Sequence, residues 1–345
     1  MNKHEYLREE VRPYVVRGRR GMHEFLRDLA DTAFQGRALG EAYGVLERMV
    51  TRGGNQIYFG LAASLATAGM WTVIKWLVER RFIDVLVSTG ANISEDILNA
   101  MGFKYFKGSP SVSDEELLRL RIDRFYDTYV DELQYREMER LIKDFIKSLP
   151  KGSAYTTPEF LYLLGMRLDE AGIDSIVAEA YRRGVPVFSP ALTDSGYGVA
   201  AALAYMEGHH VVLDMVRDFT TLVQTASTDR TLSAVYVGGG VPKDYVNLAT
   251  VVQTLLAEGR GSSRIKSLEQ VIQITTDSPQ WGGLSGATLE EAVSWGKVHP
   301  KASRKTVYCD ATIALPALAQ ALHDAGVARR DPPDLSWVFE RVSRR

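Results

Sequence analysis

Ala234-Val-Tyr-Val-Gly-Gly-Gly240 sets a short run of β-favouring apolar residues directly against three glycines. A run too short for a helix, ended by the residue that tolerates any backbone angle, reads as a buried strand entering a tight turn. The same grammar recurs on both sides. Val185-Pro-Val-Phe188, His210-Val-Val-Leu213, Val271-Ile-Gln-Ile274 and Thr306-Val-Tyr-Cys309 are strand-like, with helical patterns between them. Upstream, Ile83-Asp-Val-Leu-Val-Ser88 is a short, β-branched run with four apolar residues in six, the mark of a strand covered on both faces. Strand–helix alternation of this kind predicts an α/β fold with a mainly parallel sheet and helices on both faces.

The flanking regions are more helical. In His23-Glu-Phe-Leu-Arg-Asp-Leu-Ala30 apolar side chains return every three or four positions, so residues 1–55 read as a helical N-terminal extension. Thr51–Asn55 breaks that pattern, and the small residues of Gly60–Gly69 lead into a helix through Trp71 and Trp76. Ser113-Asp-Glu-Glu116 is a capping box opening a helical stretch to about Ser148. Thr157-Pro158 starts the next helix, because proline fits a first turn. The pattern on either side of residues 148–157 is alike, so the chain reads as one domain over 1–345. The basic, proline-broken segment 326–345 is expected to be a surface tail.

Composition narrows the class. The 345 residues are 46% hydrophobic and 24% charged, with a formal charge of −2, so no global field would hold nucleic acid or an anionic membrane. Cys309 is the sole cysteine; an internal disulfide is impossible and a reducing, cytoplasmic setting is expected. No apolar run is long enough to span a bilayer. No metal site is expected: the neighbours His209 and His210 would point to opposite faces of a strand.

Loops after the strands hold the candidate chemistry, because ligands of such sheets bind beyond the carboxyl ends. Ser88-Thr-Gly-Ala-Asn92, Thr193-Asp-Ser-Gly-Tyr-Gly198, Gly238–Gly240, Thr275-Thr-Asp-Ser278 and Cys309-Asp-Ala-Thr312 are rich in small and polar residues. Five such loops along one edge suit the close backbone approach of a dinucleotide, although the Gly-x-Gly-x-x-Gly fingerprint is absent. Thr288-Leu-Glu-Glu291 is a further capping box, followed by Ala-Val-Ser-Trp-Gly-Lys297. The bland reading of Lys297 is a solvated lysine at a helix end. Against it stands Trp295, whose indole would strip water from the amine and leave a nucleophile.

Glu291-Ala-Val-Ser-Trp-Gly-Lys297 resembles the catalytic-lysine segment of the deoxyhypusine synthase family. Asp84–Gly90, Pro186–Asp194, Gly238–Val241 and Val307–Ala311 follow the family's order, and the resemblance covers roughly Gly60 to Leu322. It implies a Rossmann-like homotetramer holding NAD at subunit interfaces. By matching position, NAD contacts fall on Ser64, Thr67, Thr89, Gly90, Ala91, Glu95, Asp194, Gly239, Thr276, Asp277, Asp310 and Ala311. The implied reaction moves a 4-aminobutyl group from a polyamine through a covalent imine on Lys297. Glu95, Glu291 and Trp295 would meet the polyamine.

Departures sit in that polyamine site. Val199, Leu284 and Trp281 occupy positions of family acids, Ser94 replaces the acid beside Glu95, and Asp244 stands where the family has its active-site histidine. Asp244 reads either as the proton acceptor or as a helix N-cap after Pro242. An altered pocket on an intact lysine framework points to free amines, with putrescine accepting the group to give homospermidine. The alternatives are a lysine of translation initiation factor 5A as acceptor, and a catalytically silent NAD-binding homologue.

Overall fold

The computed structural model describes residues 3–261 and 266–343. Six strands form the main sheet: β1 (Asn55–Leu61), β2 (Val85–Ser88), β3 (Val187–Phe188), β4 (Thr231–Val237), β5 (Leu268–Thr275) and β6 (Val298–Tyr308). Their spatial order is 6-5-4-1-2-3, and every neighbouring pair is parallel. This is the doubly wound order: the chain builds outward from β1 to one side, then returns to build from β4 on the other. The loops leaving β1 and β4 therefore diverge, and a crevice must open between them.

The central strand, β1, is the one the sequence hides. It pairs with β4 from Asn55↔Thr231 to Leu61↔Val237 and is buried at every residue. Asn55 fell in what reads as a break, Thr51–Asn55, and Gly60 made the strand's end look like a small-residue segment. The polar pair is buried because it is satisfied. Asn55 Nδ2 donates to the Met49 carbonyl at 2.8 Å, and its Oδ1 accepts from Ser233 Oγ at 2.8 Å. Gln56 Nε2 donates to the Thr225 carbonyl at 2.9 Å, removing the cost of an orphaned buried amide.

Four expectations need correction. Val212–Leu213 is not in the main sheet; it pairs with Ala154–Tyr155 as a separate two-stranded parallel ribbon. The helix from Ser113 does not run to Ser148. It stops at Leu120, where Arg121 takes a left-handed φ of 56°, and an antiparallel hairpin of Ile122–Phe125 and Thr128–Asp131 intervenes. Asp131 then caps a new helix, Glu132–Ser148, accepting from Leu133 N–H at 2.9 Å. The hairpin's β-branched and aromatic residues, among them Ile122, Phe125, Thr128, Tyr129 and Val130, suit strands better than a helix.

The N-terminal region is more than an extension. Helix Phe34–Thr51 buries Ala42, Tyr43, Val45, Leu46, Met49 and Val50 and packs against β5 and β6, so it supplies part of one covering layer. The tail is likewise anchored. Arg329 donates to Asp84 at 2.6 Å and to the Asn55 carbonyl at 2.7 Å. Leu335, Val338, Phe339 and Val342 are buried, and Phe339 stacks on Tyr162 with centroids 4.4 Å apart. Its charges misled; spaced apolar residues carry the docking. Residues 344 and 345 of the tail lie outside the described residues. Among the described residues, no helix is long and apolar enough to cross a membrane.

Candidate active site

Beyond the carboxyl ends of β1, β4, β5 and β6 lies a cleft of about 620 Å³, at the crevice that the strand order requires. Of the expected dinucleotide contacts, Ser64, Gly239, Thr276, Asp277, Asp310 and Ala311 line it. The turn after β4 needs its glycines. Gly238 has φ 72°, and a Cβ on Gly239 would stand 2.3 Å from Ser285 Cα. Backbone can therefore lie against backbone here, as a flat ligand requires. Asp310 caps helix Ala311–Asp324, accepting from the Thr312 N–H and hydroxyl, each at 2.7 Å. Those two hydrogen bonds hold its carboxyl below the usual range.

The remaining expected contacts lie outside this cleft. Thr67 lines a neighbouring hollow with Tyr105 and Thr128, and its hydroxyl donates to the Ser64 carbonyl at 2.9 Å. Thr89 donates to the Ala63 carbonyl at 2.8 Å, so it braces the cleft wall from behind. Gly90 and Ala91 follow it in the loop after β2. Gly90 is glycine for packing: a Cβ there would meet Ser195 Oγ at 2.3 Å and the Leu192 carbonyl at 2.9 Å. Asp194 is exposed on that facing loop. Two of the five small-residue loops thus press on each other, and three line the cleft.

Glu95 links the two regions. It is 3% exposed and accepts hydrogen bonds from the Ser64 hydroxyl and, at 3.4 Å, from Tyr135. Burial pushes its carboxyl up to about 7, partly opposed by those donors. Asn92, which sequence reasoning left as one residue of a loop, is the main brace. Its side chain accepts from Leu65 N–H at 2.7 Å and donates to the Ala63 carbonyl at 2.7 Å. Full burial of an asparagine in a loop carried no sequence signal.

Lys297 stands at the start of β6, where its carbonyl accepts from Leu268 N–H at 3.0 Å. The segment 276–297 therefore runs from the cleft beyond the end of β5 back to the start of β6, with Ser285 midway along it and Lys297 at its far end. Lys297 Nζ donates to Asp244 Oδ1 at 2.7 Å, with the two side chains 14% and 24% exposed. The solvated-lysine reading is thereby displaced. The N-cap reading of Asp244 fails as well: Gly239 caps helix Gly240–Glu258, and Asp244 lies inside it.

Two details of the lysine's surroundings differ from expectation. Trp295 does touch Lys297, with Nζ 5.3 Å from the ring centroid, but the indole is 66% exposed. It cannot dry the amine within this chain; the shielding comes from the Asp244 side. The capping box at Thr288 shrinks to one bond, Glu291 N–H to Thr288 Oγ1 at 3.0 Å. The helix it opens, Glu291–Ser294, has four residues and leaves Glu291 exposed.

The family model described as deoxyhypusine synthase matches residues 24–322. The probable deoxyhypusine synthase 2 of Archaeoglobus fulgidus is 43% identical over 305 residues, covering 88% of this chain and 98% of that protein. A deoxyhypusine synthase-like protein of Chlorobaculum tepidum is 36% identical over 324 residues, covering 92% and 91%. Among solved structures, one named for a deoxyhypusine synthase of Entamoeba histolytica superposes with TM-score 0.64 at 16% identity, covering 94% of this chain and all of that one. At that identity the likeness is one of fold.

Proposed function

The chain belongs to the deoxyhypusine synthase family, whose enzymes are aminobutyl transferases, and from that premise we propose that it moves a 4-aminobutyl group between free polyamines, with putrescine accepting it to give homospermidine. The observation that carries this reading is the 2.7 Å contact between Lys297 and Asp244. A nucleophilic amine must shed a proton, and here a carboxylate stands within hydrogen-bond reach to take it.

The residues of the cleft fit NAD. Gly238 and Gly239 keep side chains away from the turn after β4, and Ser64, Thr276 and Asp277 supply hydrogen-bonding groups around a space of about 620 Å³. When bound, NAD would supply reversible hydride acceptance, so that the donor is oxidised and the product later reduced without net redox change. This chain's own part is covalent transfer. Lys297 captures the four-carbon unit as an imine and diaminopropane departs if spermidine is the donor. The acceptor's primary amine then displaces Lys297, and Asp244 receives and returns the proton.

The altered polyamine positions favour a free amine over a protein lysine. Val199 and Trp281 are exposed apolar residues where the resemblance leads one to expect acids, and Leu284 is a third. A partner ammonium deprived of three carboxylates would lose several kcal/mol of support if buried there. Glu95 and Glu291 remain to hold amine ends. The exposed Trp281 and Trp295 suit a homotetramer in which a second copy closes the pocket.

The test is an amine product profile. Purified protein is incubated with NAD, spermidine and putrescine, and the amines are resolved by mass spectrometry, with borohydride added to trap an adduct on Lys297. Homospermidine and a Lys297 adduct are expected. Diaminopropane released without homospermidine would point to another acceptor, to be tested by adding initiation factor 5A. No cleavage, with NAD still bound, would leave a silent homologue.

A further inference from the structure

Lys243 is a buried lysine that the reaction outlined above does not use. It is 2% exposed, and lysines are almost never buried without a partner. Among the described carboxylates none forms an ion pair with it. Its ammonium instead meets three oxygens: Gln273 Oε1 at 3.1 Å, the Leu284 carbonyl at 3.4 Å and the Ala287 carbonyl. Gln273 faces the other way with its amide, donating to the Gly238 carbonyl at 3.2 Å and the Ser285 carbonyl at 2.8 Å. Thr275 Oγ1 adds a bond to Ser285 at 3.2 Å.

These bonds tie three functional parts together. Leu284, Ser285 and Ala287 belong to the segment that forms one cleft wall and continues to Lys297. Gly238 belongs to the turn beneath the cleft. Lys243 itself is followed in the chain by Asp244, the partner of Lys297. We propose that Lys243 is a positioning residue: its amine holds segment 284–287 against the glycine turn, and so fixes the cleft wall and the Asp244–Lys297 pair in one frame.

The contact carries a pH signature. The charged groups around the amine are Asp244 on its own helix, Glu291 and Lys297 from the facing segment; the phenol of Tyr236 on β4 stays neutral. Burial lowers the Lys243 amine to about 8, with Asp244 and Glu291 acting to raise it and Lys297 to lower it further. The sign follows from linkage. With the segment lifted away, the lysine would regain its ordinary value of 10.5, so the lifted form binds the proton more tightly. Raising the pH from 8 to 10.5 therefore favours the docked form, by up to tenfold per unit and about 300-fold over the 2.5 units (10.5 − 8).

Competitive acetylation reads that equilibrium directly. The full-length protein is treated with trace acetic anhydride at pH 7 to 11, and mass spectrometry gives labelling of Lys243 relative to exposed Lys301. The ratio is expected to be small throughout and to fall steeply between pH 8 and 10.5. Lys243 labelling as fast as Lys301, or a ratio independent of pH, overturns the proposal. In a second arm, Lys243→Met is expected to weaken NAD binding at pH 9 by tenfold or more; unchanged affinity in a folded variant also overturns it. That arm rests on the cofactor reading. Should the wild type bind no NAD at any pH while the acetylation ratio falls as described, the cofactor reading fails and the docking role stands.

Discussion

Replacing Asp244 with asparagine keeps the shape of the contact to Lys297 and removes its charge. At the observed 2.7 Å, two unit charges interact by about 6 kcal/mol at an effective dielectric of about 20, and by about 1.5 kcal/mol in bulk water. Side chains 14% and 24% exposed place the pair nearer the first figure. That attraction holds the proton on the amine, whereas a positioned base contributes roughly 10²- to 10⁴-fold to a proton transfer, or about 3 to 5.5 kcal/mol, by accepting that proton. Asp244→Asn is therefore expected to slow loading of Lys297 by that factor in a single turnover. The assay is borohydride quenching after timed mixing with spermidine and NAD, with the adduct quantified by mass. Asp244→His, which restores the family's residue, is expected to retain most of the rate. The same carboxylate also steadies the protonated amine, so its loss would free the nucleophile if that effect governed. Loading by Asp244→Asn at or above the wild-type rate would refute the role of proton acceptor.

Three other outcomes follow from the same coordinates. Arg329→Met leaves Asp84, which is fully buried, without its 2.6 Å partner, and is expected to cost about 3–5 kcal/mol in denaturant unfolding; adding Asp84→Asn should restore most of it. Glu95, pushed up to about 7 by burial, binds its proton more tightly folded than unfolded. Its contribution is therefore intact at low pH and is lost as pH rises from about 4.5 to about 7. Glu95→Gln should raise stability at pH 8 by on the order of 3 kcal/mol, and should change it little at pH 4, measured by urea titration at both values. Gly239→Ala drives a methyl into Ser285; calorimetry should show NAD affinity lost tenfold or more, with about 1–3 kcal/mol of stability lost to overpacking.

The sequence by itself determined the class of fold and pointed to the family, and through that resemblance it named Lys297 as the candidate amine. Short β-favouring runs at Ile83–Ser88, Ala234–Val237 and Val271–Ile274 need no tertiary information, because the period of side chains and the turn-forming residues that end each run are local properties. The string Ser294-Trp-Gly-Lys297 singled out the lysine only through its resemblance to the family's segment. Local rules failed where a residue's environment is made by distant chain. Asn55 closes what looks like a break, yet it and Gln56 are strand residues because Met49, Ser233 and Thr225 satisfy them. Arg329 looks like a surface charge and is buried because Asp84 waits for it. Asp244 was named as either base or cap; only the fold removed the cap reading, and it brought Asp244 to 2.7 Å from Lys297, 53 positions away. Lys243 shows the limit most plainly: its partners Gln273, Leu284 and Ala287 are 30, 41 and 44 residues away. Periodicity records which face a side chain presents, whereas satisfaction of a buried polar group depends on what the rest of the chain brings to that face.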